Sequence, residues 1–302
     1  MPLRAIHNPG MPLRLRLAGV ELDAFSVSGL ASYVLVPEFD ACFDLGHCAL
    51  EAAHLRQVFL SHTHQDHAGG APRHVALRRM FGARPSRIYC PASSAEPLAN
   101  VLRAFDAMEE KHDEADPATL VTGVSPGDVI KLRGRFSVEV FEVDHRITSV
   151  GFTVVEHRRV LKPAWAGASG PEIAAAREEG VTVHDLVDRR RFTYVGDSTP
   201  ETLWRNPTLG DSDVLFLEAT HLPGTPRSAS ERWGHTHFES LVEWLEARGA
   251  SMPCQHIVLK HFSMKYRREE VRAAWAALPE HLRGRITMLM QGAEGRAEAA
   301  DT

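Results

Sequence analysis

The sequence predicts an α/β protein, a four-layer αβ/βα sandwich of two sheet-plus-helix halves with ligand-type side chains along one edge. Three observations carry that prediction. Strand-length apolar runs alternate with amphipathic helical stretches in both halves of the 302 residues. At 44% hydrophobic residues, the chain can bury a substantial core. Histidines and acids recur directly after strand-like runs, where a sheet would set them at its mouth.

In the first half, residues 13–17, 31–36 and 41–43 read as strands, with Asp44, Leu45 and Gly46 ending the third. A helix over 72–81 puts Ala76, Leu77 and Met80 on one face and Arg73, Arg78 and Arg79 on others. Residues 87–91 form a short strand. Residues 94–111 form a helix with Ser93 or Ser94 as N-cap and a stripe of Leu98, Val101, Leu102 and Phe105; Glu109, Glu110, Lys111, Asp113 and Glu114 mark its solvated end. In the second half, 136–142 and 150–155 read as strands, 156–191 as an insertion, and 192–196 and 214–218 as strands again. Helices over 238–248 and 268–278 flank a strand at 257–260, and a strand over 286–290 ends the ordered chain. The small, polar tail from Gln291 is expected to be disordered. The whole of 1–291 reads as one domain, with 292–302 as a flexible tail.

The strongest signal follows the apolar run Val58-Phe59-Leu60. His62-Thr63-His64-Gln65-Asp66-His67 offers four metal ligands within six residues, then leads into Ala68-Gly69-Gly70. Neutral imidazoles with a carboxylate suit zinc or another first-row metal, not calcium or magnesium. Three later segments repeat the strand-then-ligand layout and deliver His145, Asp197 and His261. A carboxylate such as Asp197 can share its oxygens between two cations, and metals about 3.5–4 Å apart are a usual arrangement for phosphate-ester hydrolysis. A strand-end histidine alone is more often a hydrogen-bonded structural residue; the concordance of four motifs reverses that reading.

Composition narrows the rest. A net charge of −5 gives no global basic character, so nucleic-acid binding requires a local patch. Cys42, Cys48, Cys90 and Cys254 lack metal-site spacing and read as reduced thiols. The first ten residues lack a signal-peptide core, and no apolar run approaches 18 residues, so a cytoplasmic protein without a membrane span is expected.

The His-x-His-x-Asp-His motif resembles the signature of the metallo-β-lactamase superfamily. Further segments resemble its ribonuclease Z family of tRNA 3′-processing endonucleases. They are Gly196-Asp197-Ser198-Thr199, His145 leading to Gly151-Phe152, Glu218-Ala219-Thr220, Gly234-His235-Thr236, and His261-Phe262-Ser263-Met264-Lys265-Tyr266. The similarity runs from about Phe39 to Gln291 and is nearest to the short-form enzymes. It implies two Zn2+ per subunit, with Mn2+ the other candidate: His62, His64 and His145 on one, Asp66, His67 and His261 on the other, Asp197 bridging. It also implies catalytic roles for Asp66, which would orient the nucleophile, and for Glu218 and His235, which would protonate the departing 3′ oxygen. Asp44 is expected to orient a ligand imidazole. The family keeps a tRNA-gripping arm where this chain has residues 156–191, which resemble its compact form, a basic strand edge over 156–162, a loop to 170 and a short helix over 171–180; Arg158, Arg159 and Lys162 are then candidate substrate contacts, together with Lys265. That segment holds seven Lys/Arg against six Asp/Glu, and Lys265 stands where the family has an arginine, keeping the charge but not the planar fork.

The implied activity is removal of the 3′ trailer of precursor tRNA by a homodimer. The alternatives are a metal-dependent hydrolase of another small phosphodiester or ester, and an RNA-binding homologue without turnover; the complete ligand set argues against the latter. His237 reads as a structural or helix-entry residue and His47, His54, His74, His112, His157 and His184 as surface or structural. Arg78-Arg79 and Arg189-Arg190-Arg191 read as solvated faces, with phosphate contact the alternative.

Overall fold

The computed structural model describes residues 12–111, 115–248 and 251–290. Its first sheet starts as an antiparallel meander of β1 (Leu13–Leu17), β2 (Val20–Val27), β3 (Ala31–Val36) and β4 (Ala41–Leu45). β5 (Gln57–Phe59), β6 (Arg87–Pro91) and β7 (Val121–Val124) then add in parallel, so the seven strands lie in chain order. Parallel pairing needs crossovers, and these carry α1 (Gln65–Ala68), α2 (Ala71–Met80) and α3 (Ala95–Met108).

The second sheet mirrors this plan. β8 (Val129–Lys131), β9 (Phe136–Val143), β10 (Ser149–Leu161) and β11 (His184–Tyr194) pair antiparallel, with α4 (Gly170–Glu178) between the last two. β12 (Val214–Glu218), β13 (His256–Lys260) and β14 (Ile286–Met288) follow in parallel. Around them run α5 (Pro200–Arg205), α6 (Arg227–Trp233), α7 (Phe238–Arg248), α8 (Arg268–Ala276) and α9 (Glu280–Arg283).

Alternation along the strands builds the layers. Val34, Phe43, Phe59, Phe152, Phe192, Phe216 and Val258 point between the sheets and form one cluster. Their neighbours Leu35, Cys42 and Val58 pack with Val75, Leu98 and Leu102 on the helical side. Leu215, Leu217, Ile257 and Leu259 do the same against Leu241, Trp244, Leu245 and Val271. Strands buried on both faces explain the continuous apolar runs of β5, β12 and β13. The result is the expected α/β/β/α sandwich. The four cysteines are buried and unpaired, and no helix among the described residues is long and apolar enough to cross a membrane.

Three strands escaped the sequence reading. β2 alternates buried Val20, Leu22 and Ala24 with Glu21 and Asp23, the pattern of a half-buried strand, which the sequence reading passed over; β7 and β8, four and three residues long, are too short for a period. In the segment read as an insertion from 156, the expected strand edge is the end of β10 and the expected short helix is α4, while β11 adds a strand from His184 that the sequence reading missed. β10 and β11 continue past a register shift at Val154/Val155 as a two-stranded ribbon pairing Arg158 with Val187 and Leu161 with His184. Beyond the sandwich neither face is covered, so residues 157–160 are exposed and lose the apolar pattern. At the tip, Ser169 and Glu172 cap the start of α4. His112, Asp113, Glu114 and the tail from Gln291 lie outside the described residues.

Candidate metal centre and active site

Strand direction gathers the site. β5, β9, β11, β12 and β13 all finish at the same edge, and His62, His145, Asp197, Glu218 and His261 stand at or just past those ends. β5 runs out into the loop that carries His62 and His64, and α1 directly after it carries Asp66 and His67. Gly196 permits the close approach of the two halves, because a Cβ there would collide with the Ser61 side chain. Asp44 and His261 hold left-handed backbone at φ 55° and 65°, a conformation costing on the order of 1–3 kcal/mol for a side-chain-bearing residue.

The sequence-predicted ligands come together in two adjoining groups, His62, His64, His145 and Asp197 in one and Asp66, His67 and His261 in the other. In the first, His62 Nε2 lies 3.0 Å from His64 Nδ1, which is 3.5 Å from His145 Nε2. In the second, His67 Nε2 is 3.3 Å from His261 Nε2, and Asp66 Oδ2 is 3.4 Å from the same His261 atom. Asp197 spans both, with Oδ2 3.8 Å from His62 Nε2 and Oδ1 3.3 Å from His67 Nε2. A third group joins Asp197 and His261 to His235.

The residues fit a divalent cation. Asp197 Oδ1 is buried and accepts no hydrogen bond, while imidazole nitrogens crowd each other around it. Burial, with neighbouring imidazoles, holds His62 well below the usual histidine range, and burial also lowers His64 and His261, leaving neutral lone pairs. His67 goes the other way: burial opposes its charge, but Asp197 and Asp44 outweigh it and raise its pKa to about 10. A cation beside Asp197 would supply the positive charge that this proton supplies, so binding it would release a proton.

Behind the predicted ligands, other side chains hold the rings. Asp44, fully buried, accepts from His67 Nδ1 at 2.6 Å, from Tyr194 Oη at 2.7 Å, and from the Ser61 amide and hydroxyl. That matches its expected orienting place. Ser61 Oγ lies 3.0 Å from His62 Nδ1, Thr220 Oγ1 lies 2.9 Å from His261 Nδ1, and His145 Nδ1 donates to the Gly234 carbonyl at 2.7 Å. Ser61, Tyr194, Thr220 and the Gly29 amide, which donates to Asp66 Oδ2 at 2.7 Å, received no role from sequence. Thr220 alone had a signal, since it closes the Glu-Ala-Thr segment.

Glu218 and His235 meet as expected, Nδ1 to Oε1 at 2.9 Å. Glu218 also accepts from the Ser198 and Thr220 amides and the Thr220 hydroxyl, which fixes it. Burial opposes charge on His235, but Glu218 prevails and raises its pKa to about 9.

The remaining candidates fall elsewhere. His237 accepts from the Glu239 amide and bonds the Thr225 carbonyl through Nε2 at the entry to α7. His74 is buried against the carbonyls of Ala52 and Leu55. Arg78 is no solvated face: it is buried, with its guanidinium on the carbonyls of Ala53 and Arg84. Arg189, Arg190 and Arg191 pair with Asp213, Glu139 and Glu156. Arg158, Arg159 and Lys162 lie on the ribbon, away from the metal-type cluster along the chain, and Lys265 donates to Thr225 Oγ1 at 2.9 Å.

Residues 39–262 match the Beta-lactamase superfamily domain. The chain is 30% identical to tRNase Z TRZ1 of Arabidopsis thaliana over 92% of this chain and 98% of that protein. The chain belongs to the tRNase Z family of that superfamily. It is also 32% identical to a nuclear ribonuclease Z of Triticum aestivum, over 58% of this chain and 97% of that protein. Among solved structures, the metallo-β-lactamase fold protein YhfI of Bacillus subtilis aligns with a TM-score of 0.57 at 14% identity, covering 88% of this chain and 94% of that one. The human short-form tRNase Z aligns with a TM-score of 0.50 at 17% identity, covering 94% and 95%. Membership in this family, with the His/Asp cluster in place, implies divalent metal binding.

Proposed function

We propose that this chain is a zinc-dependent endoribonuclease that removes the 3′ trailer of precursor tRNA, leaving a 3′-hydroxyl on the tRNA. The observation that carries the reading is the convergence of two three-ligand groups across Asp197, beside a buried Glu218–His235 pair. His62, His64 and His145 would hold one Zn2+, and Asp66, His67 and His261 the other, with Asp197 shared. Such a pair supplies Lewis acidity toward the phosphoryl oxygens and makes a water acidic enough to attack near neutral pH.

The chain's own groups do the rest. Asp66, tethered by the Gly29 amide and held near pKa 2 against burial by His261 and His67, stays ionised to aim the attacking water in line. His235 gives its proton to the departing 3′ oxygen, with Glu218 fixing the ring from behind. The ribbon of β10, β11 and α4 serves as the tRNA-gripping arm, with Arg158, Arg159 and Lys162 on RNA phosphates and Lys265 contributing at the mouth. The enzyme works as a homodimer in the cytoplasm, where four unpaired thiols are at home.

The test presents metal-quantified protein with a precursor tRNA bearing a trailer, a cyclic nucleotide and a lactam. A single cut at the trailer junction, with a 3′-hydroxyl on the tRNA, is expected. Turnover of the cyclic nucleotide or lactam with the tRNA left intact would overturn the reading.

A further inference from the structure

One aromatic side chain beside the site belongs to neither core nor ligand set. Trp233, the last residue of α6, is 52% exposed, and the Arg146 guanidinium lies over its ring at 5.2 Å. These two residues adjoin the site in sequence: Arg146 follows His145, and Trp233 is separated from His235 only by Gly234. Gly234 locks that placement. It caps α6 at φ 72°, its carbonyl holds His145 Nδ1, and a Cβ there would press on Arg146 and the His145 ring. Two trans peptides put the Trp233 and His235 Cα atoms within roughly 7.6 Å of each other.

We infer that Trp233 is a stacking platform for one nucleobase, that of the nucleotide immediately 5′ of the cut, with Arg146 steadying the indole and facing the RNA backbone. The inference rests on the proposed function, and the side of the cut follows from its chemistry. His235 protonates the departing 3′ oxygen, and that oxygen belongs to the nucleotide on the 5′ side, so its ribose must sit at His235 and its base within reach of Trp233. An exposed tryptophan with an arginine over it is the pairing that single-stranded RNA bases use for stacking.

The test measures KM and kcat on precursor tRNA with its natural base, with an abasic nucleotide 5′ of the cut, and with an abasic nucleotide 3′ of it. Wild type should show KM raised about tenfold by the 5′ abasic substitution and little by the 3′ one. Trp233→Ala should show the same rise on natural RNA and no further rise on the 5′ abasic substrate, while Trp233→Phe should restore most of the loss. A 5′ abasic substrate cleaved by wild type with unchanged KM overturns the inference, whatever the variants do. So does a Trp233→Ala KM that exceeds the wild-type value on 5′ abasic RNA by the same factor as on natural RNA. If wild type cleaves no precursor tRNA, the proposed function falls first and this inference with it.

Discussion

The strand-edge site and the outlying ribbon are built from similar residues under opposite rules. At the edge, His62, His67, Asp197, Glu218 and His261 are buried, and the back of almost every ring meets a fixed partner such as Asp44, Ser61 or Thr220. On the ribbon, Leu186 is 77% exposed, and the charges answer one another across the hairpin, His157 to Asp188 and Lys162 to Asp185. Chemistry that must hold atoms to fractions of an ångström is set at the convergence of several strands. The proposed arm, meeting a large, charged partner, would need only reach and sign of charge, for which two strands suffice.

That contrast can be broken, first at the edge. His64→Ala or Asp197→Ala should abolish turnover and lower the metal content of the purified protein; activity persisting after metal is stripped from either variant would end the ligand assignment. Next comes the acid. His235→Ala should slow trailer removal by about 10²–10⁴-fold yet barely affect an aryl phosphodiester, whose phenol leaves without a proton. Equal slowing of both substrates would remove His235 from that role.

Asp44→Asn leaves a nearly isosteric group but takes away the charge behind His67, and metal affinity should weaken about 10–100-fold. Titration with a competing chelator checks this; unchanged affinity would reduce Asp44 to a packing residue. On the ribbon, replacing residues 159–186 by a short turn should cut kcat/KM for precursor tRNA by roughly tenfold or more, through lost phosphate contacts, while sparing the aryl substrate. Loss of both activities together would mean the ribbon braces the fold. Smallest is Ser169→Ala, expected to loosen the start of α4 by about 1 kcal/mol while leaving global unfolding unmoved. Hydrogen exchange confined to the tip would bear this out, whereas a lowered melting temperature for the whole chain would not.

The sequence made one region far more readable than the other. Doubly buried strands such as Val58-Phe59-Leu60 and Ile257-Val258-Leu259 advertise themselves, and the predicted ligands stand right after them, so the cluster was legible from the sequence. The supports were not. Ser61, Tyr194 and Thr220 act through space on rings contributed by other segments, and common residue types carry no local mark of that. Within the ribbon the basic strand edge and the short helix were legible, but the strand from His184 was not, because strands exposed on both faces lose the apolar period. Arg78 misled for a related reason: its neighbour Arg79 made a charge run of what is one buried carbonyl clamp and one pair with Asp106.

The most direct measurement is an anomalous-scattering map of the protein crystallised with its native metal. It should carry two peaks, one among His62, His64 and His145 and one among Asp66, His67 and His261, with Asp197 between them. A map with no peak there, or with its density beside His237 instead, would contradict the account.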